Sequence, residues 1–244
     1  MLVVRHNTRM DIIAWNIKGG GGSRMNDIES ELIRRQPDVI VLGEYVHGRS
    51  ERLINNLSVA GWIHHVIPNP PKSRGGVAIV SRLPLEPRTA PTTMSESFRY
   101  AAVGIPCIGL ELRGIYAPLN DDPYHDFWNA LLDSLSAESE KQVLLLGDLN
   151  AALPKIDTPS TTSLFSTKYF SRLPECGYTD LWRTFNDLTE EMYTWQGKVH
   201  PYRLDHAFGT ATLVPRVLDC SYEHSVRLNR LSDHSLLSIS IDAG

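Results

Sequence analysis

Asp148 and Asn150 stand two positions apart at the end of "KQVLLLGDLN", a run of Val and Leu closed by Gly, Asp, Leu and Asn. Side chains alternate along a strand, so a carboxylate and an amide at that spacing face the same way. In open α/β sheets, chemistry gathers beyond the carboxyl ends of the strands. The pair suits a polar site at a strand tip; it suits equally a turn in which Asp and Asn cap the backbone. Other strand-like runs offer polar residues in the same manner: Asn16, Glu44, Tyr116, Asp205, and Asp233 with His234. Their oxygens favour a hard cation such as Mg2+, which takes few protein ligands and keeps several waters. Cys107, Cys176 and Cys220 form no CxxC pair, which argues against zinc and against a disulfide framework.

Such residues need elements to hold them. "DIIAWNI", "DVIVLGE" and "GGVAIVSR" read as buried strands, "FRYAAVGI" and "CIGLELRGIYAP" as a strand pair, and "YRLDHAFG" and "SDHSLLSISID" as closing strands. "NDIESELIRRQ" places Ile28, Leu32 and Ile33 at helical spacing before Pro37. "RSERLINNLSVAG" reads as a helix stopped at Gly61, and "DPYHDFWNALLDSL" carries the stripe Phe127, Leu131, Leu132 and Leu135. "KYFSRLPECG" and "TDLWRTFND" predict short helices, and residues 152–167 a surface loop rich in Pro, Ser and Thr. Strands fall in clusters, not in strict βαβ alternation. The expected fold is α/β, with two mixed sheets packed together and flanked by helices.

Composition bounds the function. The chain has 244 residues and a formal net charge of −4, so no global basic field gathers nucleic acid, although a local patch is compatible with that total. No run approaches the ~18 apolar residues of a membrane span, and the N-terminus lacks the pattern of a signal peptide. A cytoplasmic protein is expected, with residues 1–9 as an extension and 10–244 as one domain. The run Gly19–Gly22 is followed by no GK[ST], so it is a loop and not a phosphate-cradling P-loop.

The order of "WNIKGG", "GE", "GGVAIVSR", "YAP", "GDLN", "RLDH" and "SDHSLL" resembles the endonuclease/exonuclease/phosphatase superfamily from about Met10 to Asp242. The resemblance implies a four-layer α/β sandwich and Mg2+-dependent hydrolysis of phosphate esters, with Mn2+ able to substitute. It assigns Glu44 to the metal, Asn16 to holding the metal and orienting its neighbours, and Asp233 to a second metal-side carboxylate. Asp148 would align or deprotonate the attacking water, and Asn150 would contact the phosphate. Asp205 and His234 would form a carboxylate–imidazole pair, and Tyr116 would support the phosphate or the leaving group. Every motif position is filled, which argues against a binding module that has lost catalysis.

Lys18 departs from the pattern, because that position is often acidic in the DNA-repair branch; it puts a second metal contact in doubt and offers phosphate a cation instead. Glu44 follows Gly43 where Gln is usual. "DLWRTFN" with "YTWQG" resembles the exonuclease III-like branch, in which aromatic residues lie beside DNA. The expected function is therefore a Mg-dependent DNA nuclease, monomeric and without a protein partner. A phosphatase or phosphodiesterase acting on a small or lipid phosphate is the alternative. Lys18, Arg74 and Trp195 are the candidate substrate contacts. Arg24, Lys72, Lys155 and Lys168 extend a basic rim, Tyr169 and Tyr202 offer further stacking groups, and Trp182 is expected in the core.

Overall fold

A computed structural model of the chain describes residues 9–119 and 125–244. The expected extension at 1–9 lies outside these but for Arg9, which opens the first strand. The start of the helix expected from residue 122 lies outside them too.

One six-stranded sheet contains β1 (Arg9–Asn16), β2 (Val39–Val46), β3 (His64–Val66), β4 (Gly75–Ser81), β13 (Val217–Glu223) and β14 (Leu236–Asp242), in the order β13-β14-β1-β2-β4-β3. The other holds β5 (Glu86–Arg88), β6 (Tyr100–Ile105), β7 (Leu110–Tyr116), β8 (Val143–Asp148), β9 (Tyr178–Asp180) and β12 (Asp205–Thr210), in the order β5-β6-β7-β8-β12-β9. β1 and β2 run parallel, as do β7 and β8, and their neighbours run antiparallel. Both sheets are mixed, as the clustering of strands implied.

The continuous apolar runs follow from burial on both faces. Ile12 and Ala14 of β1, Val39 and Val41 of β2, and Leu144 and Leu146 of β8 point into a core between the sheets. The alternate residues, Ile13 and Trp15, Ile40 and Leu42, and Val143 and Leu145, point outward under helices. α1 (Met25–Arg35) and α2 (Glu51–Val59) cover the first sheet through Ile28, Leu32, Leu53 and Leu57. α3 (His125–Ser136) and the short α4 (Thr167–Phe170) cover the second through Phe127, Leu131, Leu135 and Phe170. α5 (Leu181–Phe185) sends Leu181 and Trp182 into the central core; the last helical turn, α6 (Ser225–Leu228), leads into β14. The result is helix, sheet, sheet, helix.

The sheets approach closely where Gly114 leaves room: a Cβ there would stand 2.8 Å from Val41 Cγ1. "KYFSRLPECG" is helical only at α4 and continues in turns. "TDLWRTFND" splits into β9 and α5, because Asp180 caps the helix by accepting the Arg183 N–H at 3.3 Å. The hairpin of β10 (Trp195–Gln196) and β11 (Pro201–Tyr202) has two-residue strands, too short for period-two alternation to register.

Candidate active site

The carboxyl ends of β1, β2, β7 and β8 converge on one rim, joined by the start of β12 and by the residues entering β14. Parallel pairing sets Tyr116 beside Asp148, and antiparallel pairing sets Asp205 on the other side of Asp148. Gly147 makes that placement possible. It adopts φ +132°, and a Cβ there would lie 2.1 Å from Ile115 O, so only glycine fits. Non-glycine residues at positive φ gather on the same rim: Lys18 (53°), Glu44 (57°) and Asn150 (45°). Glu44 sits where the β2–β4 register slips between Gly43 and Tyr45, a bulge that turns its side chain to the rim.

Asn16 binds two carboxylates at once. Its Nδ2 donates to Glu44 Oε1 at 3.0 Å and to Asp148 Oδ2 at 2.9 Å, while its Oδ1 accepts the Lys18 N–H at 2.9 Å. Glu44 Oε2 accepts the Gly19 N–H at 2.6 Å. Asp148 Oδ1 accepts the Asn150 N–H at 2.9 Å, and Asn150 Nδ2 donates one proton to Ala117 O at 2.7 Å. The turn-capping role foreseen for Asp148 is therefore real, and it coexists with a second oxygen turned toward the rim.

Buried His234 approaches Asp205 Oδ2 with Nδ1 at 2.8 Å, and its Nε2 faces Asp148 Oδ2 at 3.9 Å. Burial alone would lower the imidazole pKa; the Asp205 and Asp148 carboxylates outweigh it and hold the ring protonated well above its ordinary range. Burial pushes the Asp148 carboxyl up, and Asp205 adds to this, while His234 and the Asn16 and Asn150 N–H groups pull it back. Asp233 Oδ2 pairs with Lys18 Nζ at 3.1 Å, whereas Asp233 Oδ1 is buried with no hydrogen-bond partner. Burial and the charges of Glu44 and Asp148 raise the Tyr116 hydroxyl pKa against the pull of Arg99.

A model of the Endonuclease/Exonuclease/phosphatase family matches residues 13–234. The chain belongs to the endonuclease/exonuclease/phosphatase family. Enzymes of that family hydrolyse phosphoric esters. Among solved structures, the chain is similar to a 3′ phosphatase, NExo, from Neisseria bound to product DNA hairpin (23% identity, 96% of this chain and 99% of that one, TM-score 0.82). A 3′-5′ exonuclease, NExo, from Neisseria meningitidis gives 22% identity, 96% and 100% coverage, and TM-score 0.81. An AP endonuclease from Archaeoglobus fulgidus gives 22% identity, 96% and 99% coverage, and TM-score 0.80. At these identities the likeness is one of fold. No curated protein matches the sequence.

In this endonuclease/exonuclease/phosphatase chain, a cleft of about 530 Å³ is lined by Glu44, Tyr116, Asp148, Asn150, Asp233 and His234, with Trp195 and Tyr202 on its wall. Asp205 lies behind His234, and Asn16 behind Glu44. Arg74 is absent from the lining: its guanidinium pairs with Glu96 and lies 5.5 Å from the centre of the Phe98 ring. Tyr169 is no stacking platform, being buried against Trp128 with ring centroids 5.9 Å apart. Arg24 is tied to backbone oxygens of Ile17, Lys18 and Leu231. Trp182 is core, as expected.

Three kinds of residue escaped the sequence reading. Lys198 and His200 reach the cleft on the β10–β11 hairpin. Arg99 lies 4.6 Å over the Tyr116 ring. Arg227 and Arg230 precede the "SDH" motif, a basic pair visible in the sequence itself.

Proposed function

We propose that the chain is a divalent-metal-dependent phosphoesterase whose substrate is DNA. The reading rests on one observation: Asp148 lies at the cleft floor between the Asn16 amide and an imidazole that Asp205 holds. A phosphodiester is an anion, and an incoming hydroxide meets its charge. A site for its hydrolysis needs a base for water, a cationic donor for the phosphoryl oxygen and a cation to offset charge.

Glu44 and Asp233 would hold the metal. Their oxygen donors suit Mg2+ or Mn2+, and the buried, unpartnered Oδ1 of Asp233 fits a ligand awaiting its cation. Asn16 serves Glu44 as an orienting amide, its Nδ2 donating to Glu44 Oε1 while its Oδ1 accepts the Lys18 N–H. When bound, the metal neutralises charge on the phosphate. Asp148, Asp205 and His234 also lie close enough to suggest a metal cluster, but an imidazolium between two carboxylates is an internal ion pair and a poor ligand set.

Asp148, its pKa raised by burial, accepts the proton of a water aligned for attack. His234 donates Nε2–H to a phosphoryl oxygen. Asn150 keeps one Nδ2 proton free for the phosphate, and Tyr116 supports the departing group. Trp195 and Tyr202, 6.2 Å apart between ring centroids, give an aromatic wall for a base or sugar. The fold likeness to a 3′ phosphatase bound to a DNA hairpin supports DNA as substrate.

The test is an assay with Mg2+, Mn2+ or EDTA on single-stranded, duplex, abasic and 3′-phosphorylated DNA, beside phosphomonoesters and lipid phosphates. DNA should be processed only with metal, and Asp148→Asn should cut turnover by roughly 10²–10⁴-fold with KM little changed. Glu44→Gln should weaken Mn2+ binding by calorimetry. Cleavage confined to small phosphates would overturn the DNA assignment.

A further inference from the structure

A second basin lies across a ridge from the reaction cleft. Asp233 lines both cavities, Trp195 lines the cleft, and Gln196, the next residue, lines the basin. The basin measures about 620 Å³ and does not include Asp148 or His234. Its charge is unlike that of the molecule. Lys18, Arg24, Arg227 and Arg230 face it, against the single carboxylate of Asp233, in a chain of net charge −4. That carboxylate already carries the Lys18 ammonium.

The cations are held in place. Arg24 spends its guanidinium hydrogen bonds on the carbonyls of Ile17, Lys18 and Leu231, so its charge is fixed while it ties the β1–α1 loop to the approach to β14. Ser232 Oγ donates to Asn16 O at 2.5 Å across the same seam. Arg227 Nε donates to Ser235 Oγ at 3.1 Å, which leaves its terminal nitrogens uncommitted. Arg230 is exposed and sits at φ +61° in the turn after α6. Neither Arg227 nor Arg230 has a carboxylate partner among the described residues. Like charges gathered on one concave surface repel one another, and an anion relieves that repulsion.

The position of the basin selects the anion. A lone phosphate at Asp148 and His234 occupies part of the cleft and does not touch the basin, whose lining includes neither residue. A strand that crosses the Lys18–Asp233 ridge presents one phosphate to the cleft and its neighbours to the arginines. We propose that the basin is a second anion site that takes backbone phosphates of a nucleic acid next to the one being hydrolysed. The proposal rests on the DNA reading above and extends it from the reacting phosphate to the polymer that carries it.

The experiment measures binding of a fluorescent oligonucleotide by anisotropy in EDTA, over a salt series, together with steady-state cleavage in Mg2+. Arg227→Gln/Arg230→Gln is compared with the wild type and with Arg172→Gln, an exposed charge outside both cavities. The double variant should raise Kd at low salt by roughly tenfold or more and flatten the slope of log K against log salt by about 2, close to one per lost phosphate contact. KM should rise with it, and kcat should change far less. Arg230→Gln alone, at an exposed turn, keeps the fold and should show about half the slope change if the double variant proves unstable. If wild-type protein cleaves DNA while these variants match it in Kd and slope, the basin proposal fails and the DNA reading stands. Equal weakening by Arg172→Gln would also overturn it. If the wild type neither binds nor cleaves nucleic acid, the DNA reading itself has failed and takes the basin with it.

Discussion

His234 is cationic because Asp205 and Asp148 outweigh its burial. A histidine with a raised folded pKa gives stability that is fully present below its unfolded value, about 6.5, and that is lost as pH climbs through the folded value. In the proposed reaction, the same protonation would supply the Nε2–H given to the phosphoryl oxygen. Asp205→Asn should therefore lower kcat and move the alkaline limb of the pH–rate profile toward neutrality, with the smallest loss at the acid end. A purely structural Asp205 would lower activity equally at every pH. A series of kcat/KM measurements across neutrality separates the two.

At the scale of elements, the "GDLN" turn is held by a buried ion pair behind it. Asp157 has no exposed surface; it accepts Arg203 Nε at 2.8 Å and the Leu153 N–H at 3.0 Å. Arg203 also grips Asp180, donating through Nη1 at 3.2 Å and Nη2 at 2.5 Å, and its own backbone N–H donates to Asp157 O at 2.8 Å. Two residues on from Arg203, Asp205 begins β12, so this lock joins the loop after Asn150 to the strand that supports His234. Burial would raise the Asp157 carboxyl, but the charges of Arg203 and His206 and the Leu153 N–H bring it below the ordinary range. A lowered carboxylate gives stability present above its unfolded pKa, about 3.9, and lost as pH falls through the folded value. Asp157→Asn should cost about 3 kcal/mol at neutral pH, and the gap to wild type should close in acid. Urea denaturation at pH 7 and near pH 3 checks both parts.

For the molecule as a whole, the net charge of −4 and the basic basin operate at different ranges. Screening confines the arginines' pull to about 10 Å at 0.1 M salt, so binding is to be expected from local contact. Among the described residues, no helix is long and apolar enough to cross a membrane. Of the large exposed apolar side chains, Leu188, Val199 and Leu218 come from separate segments, and Val59 and Ile63 lie four positions apart, at and just after the end of α2. We expect a monomer: light scattering after size exclusion should return about the chain mass of 27.4 kDa, and a doubled mass would mean that two copies share a face.

Much of this was legible along the chain. Strands buried on both faces leave unbroken apolar runs, and helices leave their stripe, so the two mixed sheets and their outer helices could be read from local pattern. The resemblance assigned the polar residues at the strand ends, and pairing drew Asn16, Glu44, Tyr116, Asp148, Asp205 and His234 to one rim. What escaped depends on contacts between distant residues. Arg74 and Arg99 both pair with Glu96 and lie over the Phe98 ring, yet Arg99 also reaches the Tyr116 ring at the rim. Asp157 and Arg203 are 46 positions apart, and no periodicity links them. The basin needs the β1–α1 loop, the β10–β11 hairpin and the turn after α6 in one place. Local sequence carries a residue's side of a strand or helix, because that repeats every few positions; which cation meets which anion is settled only when the sheets close and bring the loops together.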